Sequence, residues 1–293
     1  LRAVQCHHVS AAKLTDCWQR VDGIGNRMLN FLENHDEQRF ASQQYAGAAD
    51  RVLPSLVVSS MMSAAPFMIY AGQELGEPGA DAEGFSGPDG RTTIFDYWSI
   101  PTLRRWLNNG KADGGESYPE ERALRGVYRQ VLNLLNSETA LREGEFFDLM
   151  YVNFDNPEFS PHRNYAFMRR SGDEVMLIAV NFSDSAAEIA VNLPDLALNM
   201  YGIKPGPHTA TELLTGRTAT LDISASAPAR TQIGPWGAVL WKFSASKPKA
   251  APRALKKAAA PAQAEATEAD TAPARPGAGR KPRKKSDRQK AAH

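Results

Sequence analysis

The chain has 293 residues, 42% of them hydrophobic and 9% aromatic, enough to bury one large core or two ordinary ones. Its formal net charge of +1 hides an asymmetry: 21 basic and 29 acidic residues precede Ala245, and 13 basic against 4 acidic follow from there. Two cysteines, Cys6 and Cys17, exclude a disulfide framework, and no run approaches the ~20 apolar residues of a membrane span.

His7 and His8 lie beside Cys6, but these three residues do not complete the four-ligand set of a structural zinc. The chain begins with Leu1 and carries no leader pattern, so it is expected to be a mature form or a piece of a longer protein, which leaves its compartment open.

Taken in order, Leu14, Trp18 and Val21 stand near helical spacing and predict a helix over about Ala11–Arg20, ended by Gly23 and Gly25. The apolar run Met28–Leu32 predicts a buried strand. It leads directly into the polar cluster Glu33, Asn34, His35, Asp36, Glu37, Gln38 and Arg39, which a strand of that kind would deliver into a cleft. Asp50 is expected to cap a helix running to about Ala64, with Pro54 early enough to be tolerated. Pro66–Tyr70 reads as a second short strand, again followed by polar residues, Gln73 and Glu74. The Gly-, Pro- and Asp-rich stretch from Gly76 to Gly90 reads as a functional or mobile loop. In the stretch Thr92–Trp106, Tyr97, Trp98 and Trp106 are either packing aromatics or stacking platforms for sugar rings. Pro119–Ser137 carries an apolar stripe of Leu124, Val127, Tyr128, Val131, Leu134 and Leu135, the mark of an amphipathic helix.

Beyond Glu143 the period changes. Phe146–Asn153, Asn164–Arg169, Glu174–Phe182, Ala187–Leu193, Thr218–Ile223 and Gly237–Phe243 read as strands, with Trp236 packing among them. The expected fold class is therefore α/β followed by all-β: residues 1–142 α/β, 143–244 an antiparallel sandwich, and 245–293 a tail. The tail has no Val, Ile, Leu, Met or aromatic residue beyond Leu255 and is expected to be disordered. Its run Gly279–Lys290 could contact a polyanion weakly through counterion release, or simply be solvated.

The pattern Phe31, Asn34, His35, Asp36 at a strand end resembles a motif of the α-amylase family of glycoside hydrolases. There it closes the seventh strand of a (β/α)8 barrel. The stretch PFMIYAGQELGE resembles the eighth strand and its loop, and Glu143–Ser244 resembles the antiparallel domain that follows the barrel. The resemblance implies an α-glucan substrate and retaining chemistry, with strands 7–8 of a barrel in residues 1–142. It further implies that Asp36 stabilises the oxocarbenium-like transition state, that His35 and Asn34 bind the same sugar, and that Arg39 contributes to binding and keeps Asp36 ionised. An arginine at this spacing helps bind chloride in some members. Calcium is common in the family, yet no ligand set for it is visible in this sequence.

The chain departs from the family in one respect. Neither the G-x-R-x-D nucleophile motif nor the acid/base Glu is found. Arg20-Val21-Asp22 reads as a helix-end loop, and Glu33, Glu37 and Glu74 do not occupy the acid/base position. With one of three catalytic carboxylates, the chain alone is expected not to turn over α-glucans. The alternative is a non-catalytic carbohydrate-binding or interaction remnant.

Overall fold

A computed structural model describes residues 1–80, 89–95 and 99–246. The expectations for Tyr97 and Trp98, for much of the Gly76–Gly90 loop and for the basic tail fall outside the described residues.

Two kinds of architecture follow one another along the chain. The first contains the helices α1 (Arg2–Gln5), α2 (Lys13–Gln19), α3 (Leu53–Met61), α4 (Pro101–Leu107), α5 (Pro119–Ser137) and α6 (Thr139–Glu143), together with the short strands β1 (Asn30–Phe31) and β2 (Phe67–Met68). The second begins after Gly144. It consists of β3 (Glu145–Asp148), α7 (Met150–Asn153), β4 (Asn164–Ser171), β5 (Glu174–Asn181), β6 (Ala187–Val191), α8 (Asp195–Tyr201), β7 (Gly206–Glu212), β8 (Thr218–Ile223), β9 (Ala229–Ile233) and β10 (Ala238–Ser244). An α/β arrangement followed by antiparallel sheet is thus what the sequence periods indicated.

β1 and β2 pair in parallel, Asn30 opposite Phe67 and Phe31 opposite Met68. The other strands form an antiparallel six-stranded sheet in the order β3-β4-β5-β10-β7-β8 and a two-stranded ladder β6-β9. The indole N–H of Trp241 on β10 donates to Thr231 Oγ1 on β9 at 3.0 Å, tying the ladder to the sheet. One apolar core runs from Leu14, Leu56, Val57 and Met61 through Tyr128 and Val131 to Phe167, Ile178 and Leu240. No helix among the described residues is long and apolar enough to cross a membrane.

Several local readings need correction. The expected strand Met28–Leu32 shrinks to Asn30–Phe31, because Met28 and Leu29 leave a 3-10 turn at Gly25–Arg27 and stay exposed; only Leu32 is buried. Asp50 does not cap α3: it lies inside a 3-10 turn, Ala49–Val52, and Pro54 occupies the first turn of the helix. The strand expected over Phe146–Asn153 ends at Asp148. Its carboxylate Oδ1 accepts the Met150 N–H at 2.7 Å and turns the chain into α7, a side-chain bond competing with the ladder. β7, β9 and α8 were not anticipated. Both strands bury alternate residues, but they include polar ones such as His208, Glu212 and Thr231 in the buried set. Trp236 packs as expected at the β half, yet its ring stacks on His7 from the chain start, with centroids 5.3 Å apart. By contrast α5 spans Pro119–Ser137 as its stripe predicts. Its N-terminus is closed by Glu121, whose carboxylate accepts the Tyr118 N–H at 2.9 Å.

The two architectures are joined by one buried cation. Among the described residues Arg169 on β4 has no carboxylate partner; its guanidinium donates to Ala140 O (3.0 Å) and Leu141 O (3.0 Å) of α6 and to Met62 O (3.2 Å) just past α3. It therefore supplies a donor to the Leu141 and Met62 carbonyls at helix C-terminal turns and a second one to Ala140 O, which also accepts the Gly144 N–H at 3.2 Å. Burial pushes its pKa down to about 10, so it remains a cation at neutral pH. Arg169→Met should cost about 2 kcal/mol, since the Leu141 and Met62 carbonyls lose their donor at about 1 kcal/mol or more each. Urea unfolding of the variant beside the parent chain measures this.

Candidate functional site

β1 ends at Phe31, and the next six residues form the polar loop. Leu32 and Glu33 turn inward; Glu33 is 1% exposed. The Asn34 carboxamide Oδ1 accepts the N–H of Asp36 (3.0 Å) and of Glu37 (2.9 Å), a turn that lifts His35 and Asp36 to the surface. His35 Nε2 and Asp36 Oδ2 are 3.5 Å apart, with side chains 41% and 72% exposed. An imidazole donor and a carboxylate acceptor thus stand side by side on an open rim. That pairing suits neighbouring hydroxyl groups of a sugar, one accepting and one donating.

Arg39 corrects one expectation. Its ion-pair partner is Glu33, not Asp36: Nη1 lies 2.8 Å from Glu33 Oε1, and both side chains are essentially inaccessible. Nε and Nη2 donate to Thr92 Oγ1 at 2.8 and 2.5 Å, and the guanidinium lies over the Tyr70 ring at 4.1 Å. The second Glu33 oxygen accepts the Phe40 N–H. Burial pushes the Glu33 carboxyl up from its ordinary value, while Arg39 and the Phe40 N–H act against that rise.

The same arginine joins the loop after β2 to the loop after β1. Its backbone N–H donates to Gly90 O, and the Tyr70 hydroxyl, just past β2, donates to Thr92 O at 3.2 Å. Gly90 has φ +81°, and a Cβ there would stand 2.5 Å from Gln44 Oε1 and 2.9 Å from Ser42, so the close approach needs glycine. Gln73 folds back beneath: its Oε1 accepts the Tyr70 N–H, and its amide donates to the Tyr128 hydroxyl at 3.0 Å on α5.

The other carboxylates have separate surroundings. Glu37 pairs with Arg2 at 3.4 Å. Glu77 is buried and accepts from Gly79 N and Thr102 Oγ1. Glu74 has one oxygen buried without a hydrogen-bond partner among the described residues. Asp22 accepts the Gly23 N–H at a helix-end turn, as its sequence context indicates. One hollow of about 1020 Å³ is lined by Leu14, Trp18, Met28, Met62, Phe146 and Met200 and by none of residues 33–39. Asp36 therefore stands on a rim rather than inside that hollow. Trp106 is occupied by packing, with the Arg125 guanidinium 4.0 Å from its ring.

Sequence reasoning missed Glu33, Thr92 and Tyr70 as the residues that fix the loop. A carboxylate six positions before an arginine gives no periodic signal, and Thr92 lies 53 residues further on. Replacing Arg39 by Met leaves Glu33 as an unpaired buried charge, a change that costs about 3–5 kcal/mol at neutral pH. Without the cation the folded-state pKa of Glu33 lies further above its unfolded value. The variant should therefore be least destabilised at acidic pH and lose stability as pH rises through that raised pKa. Denaturant midpoints of Arg39→Met at several pH values test this, and Glu33→Gln added to Arg39→Met should flatten the profile.

No protein-family model matches the chain. Solved structures do match it. A maltogenic α-amylase from Thermotoga neapolitana is 16% identical with a TM-score of 0.54, over 83% of this chain and 48% of that one. An α-amylase from Geobacillus thermoleovorans, solved with acarbose, is 15% identical at 0.51 over 83% and 46%. An Anoxybacillus α-amylase is 17% identical at 0.52 over 83% and 45%. The chain thus spans somewhat under half the length of these enzymes, and over that span it has the fold of an α-amylase-type glycoside hydrolase.

Proposed function

We propose that this chain is part of an α-amylase-type enzyme acting on α-linked glucans, and that Asp36 and His35 contact the glucosyl residue at the scissile bond. In this reading residues 1–142 supply strands 7–8 of a (β/α)8 barrel, β1 and β2, and residues 143–244 form the antiparallel domain behind it. The observation that carries the reading is the parallel pairing of β1 with β2 directly before the Asn34-His35-Asp36 turn. Loops at the C-terminal ends of parallel barrel strands are where such enzymes hold their reacting groups. The fold likeness supports the class, and the matched structures include one described as a complex with maltotriose.

Asp36 would act electrostatically. An ionised carboxylate near the anomeric carbon favours the positive charge that develops there, and it accepts hydrogen bonds from the sugar hydroxyls. His35 would donate to the same ring. Asn34 and Arg39 act beneath: Asn34 forms the turn that presents the pair, and Arg39 pins its base. Neither the nucleophile nor the acid/base is assigned to a residue of this chain, so binding without turnover is the expected behaviour of the 293 residues by themselves.

Titration of the chain with maltoheptaose, beside a reducing-sugar assay, tests both halves. Weak binding without sugar release is expected. Asp36→Asn should weaken binding about 10- to 100-fold, the size of a lost hydrogen bond to a charged group. Glucan hydrolysis by the purified chain, abolished by Asp36→Asn, would disprove the non-catalytic part. Binding indifferent to Asp36→Asn would disprove the site.

A further inference from the structure

We propose that His208 is a proton-operated clamp, its doubly protonated ring holding the end of β10 to the turn that follows α8. His208 lies on β7 and is 0% exposed. Its Nδ1 is 2.9 Å from the Ser244 carbonyl oxygen, and its Nε2 is 2.6 Å from the Lys204 carbonyl oxygen. Both partners can only accept. A neutral imidazole has one N–H and one bare lone pair, so in either tautomer the lone pair faces a carbonyl oxygen at hydrogen-bond distance. The imidazolium has two N–H groups and donates to both carbonyls. A ring enclosed to this degree has no solvent to make up a missing bond, and unsatisfied buried polar groups are what folded chains avoid.

The ring acts where the backbone pairing runs out. The ladder between β10 and β7 consists of Trp241–Glu212 and Lys242–Thr211, although β10 runs on to Ser244 and β7 reaches back to Gly206. Beyond that point the imidazole makes the connection, to Ser244 on β10 and to Lys204 in the turn before β7. The Lys204 N–H itself donates to Ala245 O at 3.1 Å, so one ring and one amide join this turn to the strand end. The Phe243 ring stands T-shaped to the imidazole, with centroids 5.2 Å apart. The charged groups on the surrounding elements are engaged elsewhere or exposed. Lys242 pairs with Glu138 and Glu174, and Asp173 accepts from Ser244 Oγ and from Ser246. Lys204 is exposed, as is Asp222, next to Leu221, the residue opposite His208 on β8. Among the described residues no carboxylate pairs with the ring, so two carbonyl dipoles hold its charge. In acid both bonds are present. As pH rises and the ring gives up one proton, one carbonyl is released and the contribution of that bond to stability is lost.

Nitrogen-15 NMR of the histidine rings in the full 293-residue chain, combined with amide hydrogen exchange from about pH 5 to about pH 8, tests the clamp. The His208 ring, assigned by through-bond correlation, should show two protonated nitrogens in acid and one at the upper end of the range. Across that change the protection factor of the Lys204 amide should fall about 10-fold, the size of one hydrogen bond. In His208→Gln, which cannot titrate, Lys204 protection should be independent of pH. A His208 ring that keeps the same protonation throughout, single or double, overturns the clamp. Lys204 protection that stays constant while the ring titrates also overturns it. Both of these readings come from the parent chain and do not depend on His208→Gln folding.

Discussion

The buried guanidinium of Arg39 is the constraint on which the candidate site depends. It is fully enclosed, and each of its nitrogens and one of its faces has a partner: Glu33 from the strand end, Thr92 from the loop after β2, and the Tyr70 ring. Pairs of this kind add little net stability, because desolvating both charges offsets their attraction. What they impose is geometry. A guanidinium is planar with donors in fixed directions, so the segments that accept from it have one arrangement that satisfies all of them. Here the arrangement brings the loops after two neighbouring parallel strands together. The exposed pair His35–Asp36 is presented by a turn anchored on that arginine, not by its own packing.

The second constraint lies one layer down. β1 and β2 each contribute only two ladder residues, and parallel sheets normally have both faces covered. Met28, Leu29 and Phe31 are exposed, and among the described residues β1 pairs with β2 alone. So short a pairing does not persist by its own hydrogen bonds. It is braced by α3, by the Asn30 amide donating to Ser63 Oγ at 3.1 Å, and by the Asn30 N–H donating to Pro66 O. Since α3 packs on β5 and β10, and Met62 O is one of the carbonyls taken by Arg169, the order of the loop is inherited from the antiparallel sheet. The direction of support runs from the β half to the candidate site.

How much of this the sequence displayed depends on the range of the interaction. α5 was legible to the residue, because its apolar stripe, its proline at the first turn and Glu121 are all local signals. Thr218–Ile223 and most of β4, β5 and β10 were legible for the same reason: alternation and bounding turns are written in consecutive residues. β7 was not, since its buried positions include His208 and Glu212. Their partners, the Lys204 and Ser244 carbonyls for the imidazole and Leu240 N and Thr215 for the carboxylate, are settled only by the fold. The strand before the candidate site was overestimated because an apolar run was equated with burial; Met28 and Leu29 are apolar and exposed. The motif Asn34-His35-Asp36 could be singled out from sequence, and so could Arg39 as its neighbour. The partner of Arg39 could not, because Asp36 and Glu33 are equally available carboxylates three and six residues away, and only burial decides between them.

That choice of partner changes what each carboxylate can do. A carboxylate enclosed with a cation and a backbone N–H has its hydrogen-bonding capacity spent on the protein, as Glu33 does. Asp36 lies 3.5 Å from His35, is felt electrostatically by Arg91, and keeps most of its surface in solvent. Had Arg39 paired with Asp36, the carboxylate best placed on the rim would have been neutralised, and Glu33 would have been a buried charge without a counterion. By taking the inner acid, the arginine solves the burial problem at the strand end and leaves the outer acid exposed. The division between two carboxylates three residues apart follows from a single difference in depth, and it leaves the loop held by an ion pair at its base and open to solvent at its tip.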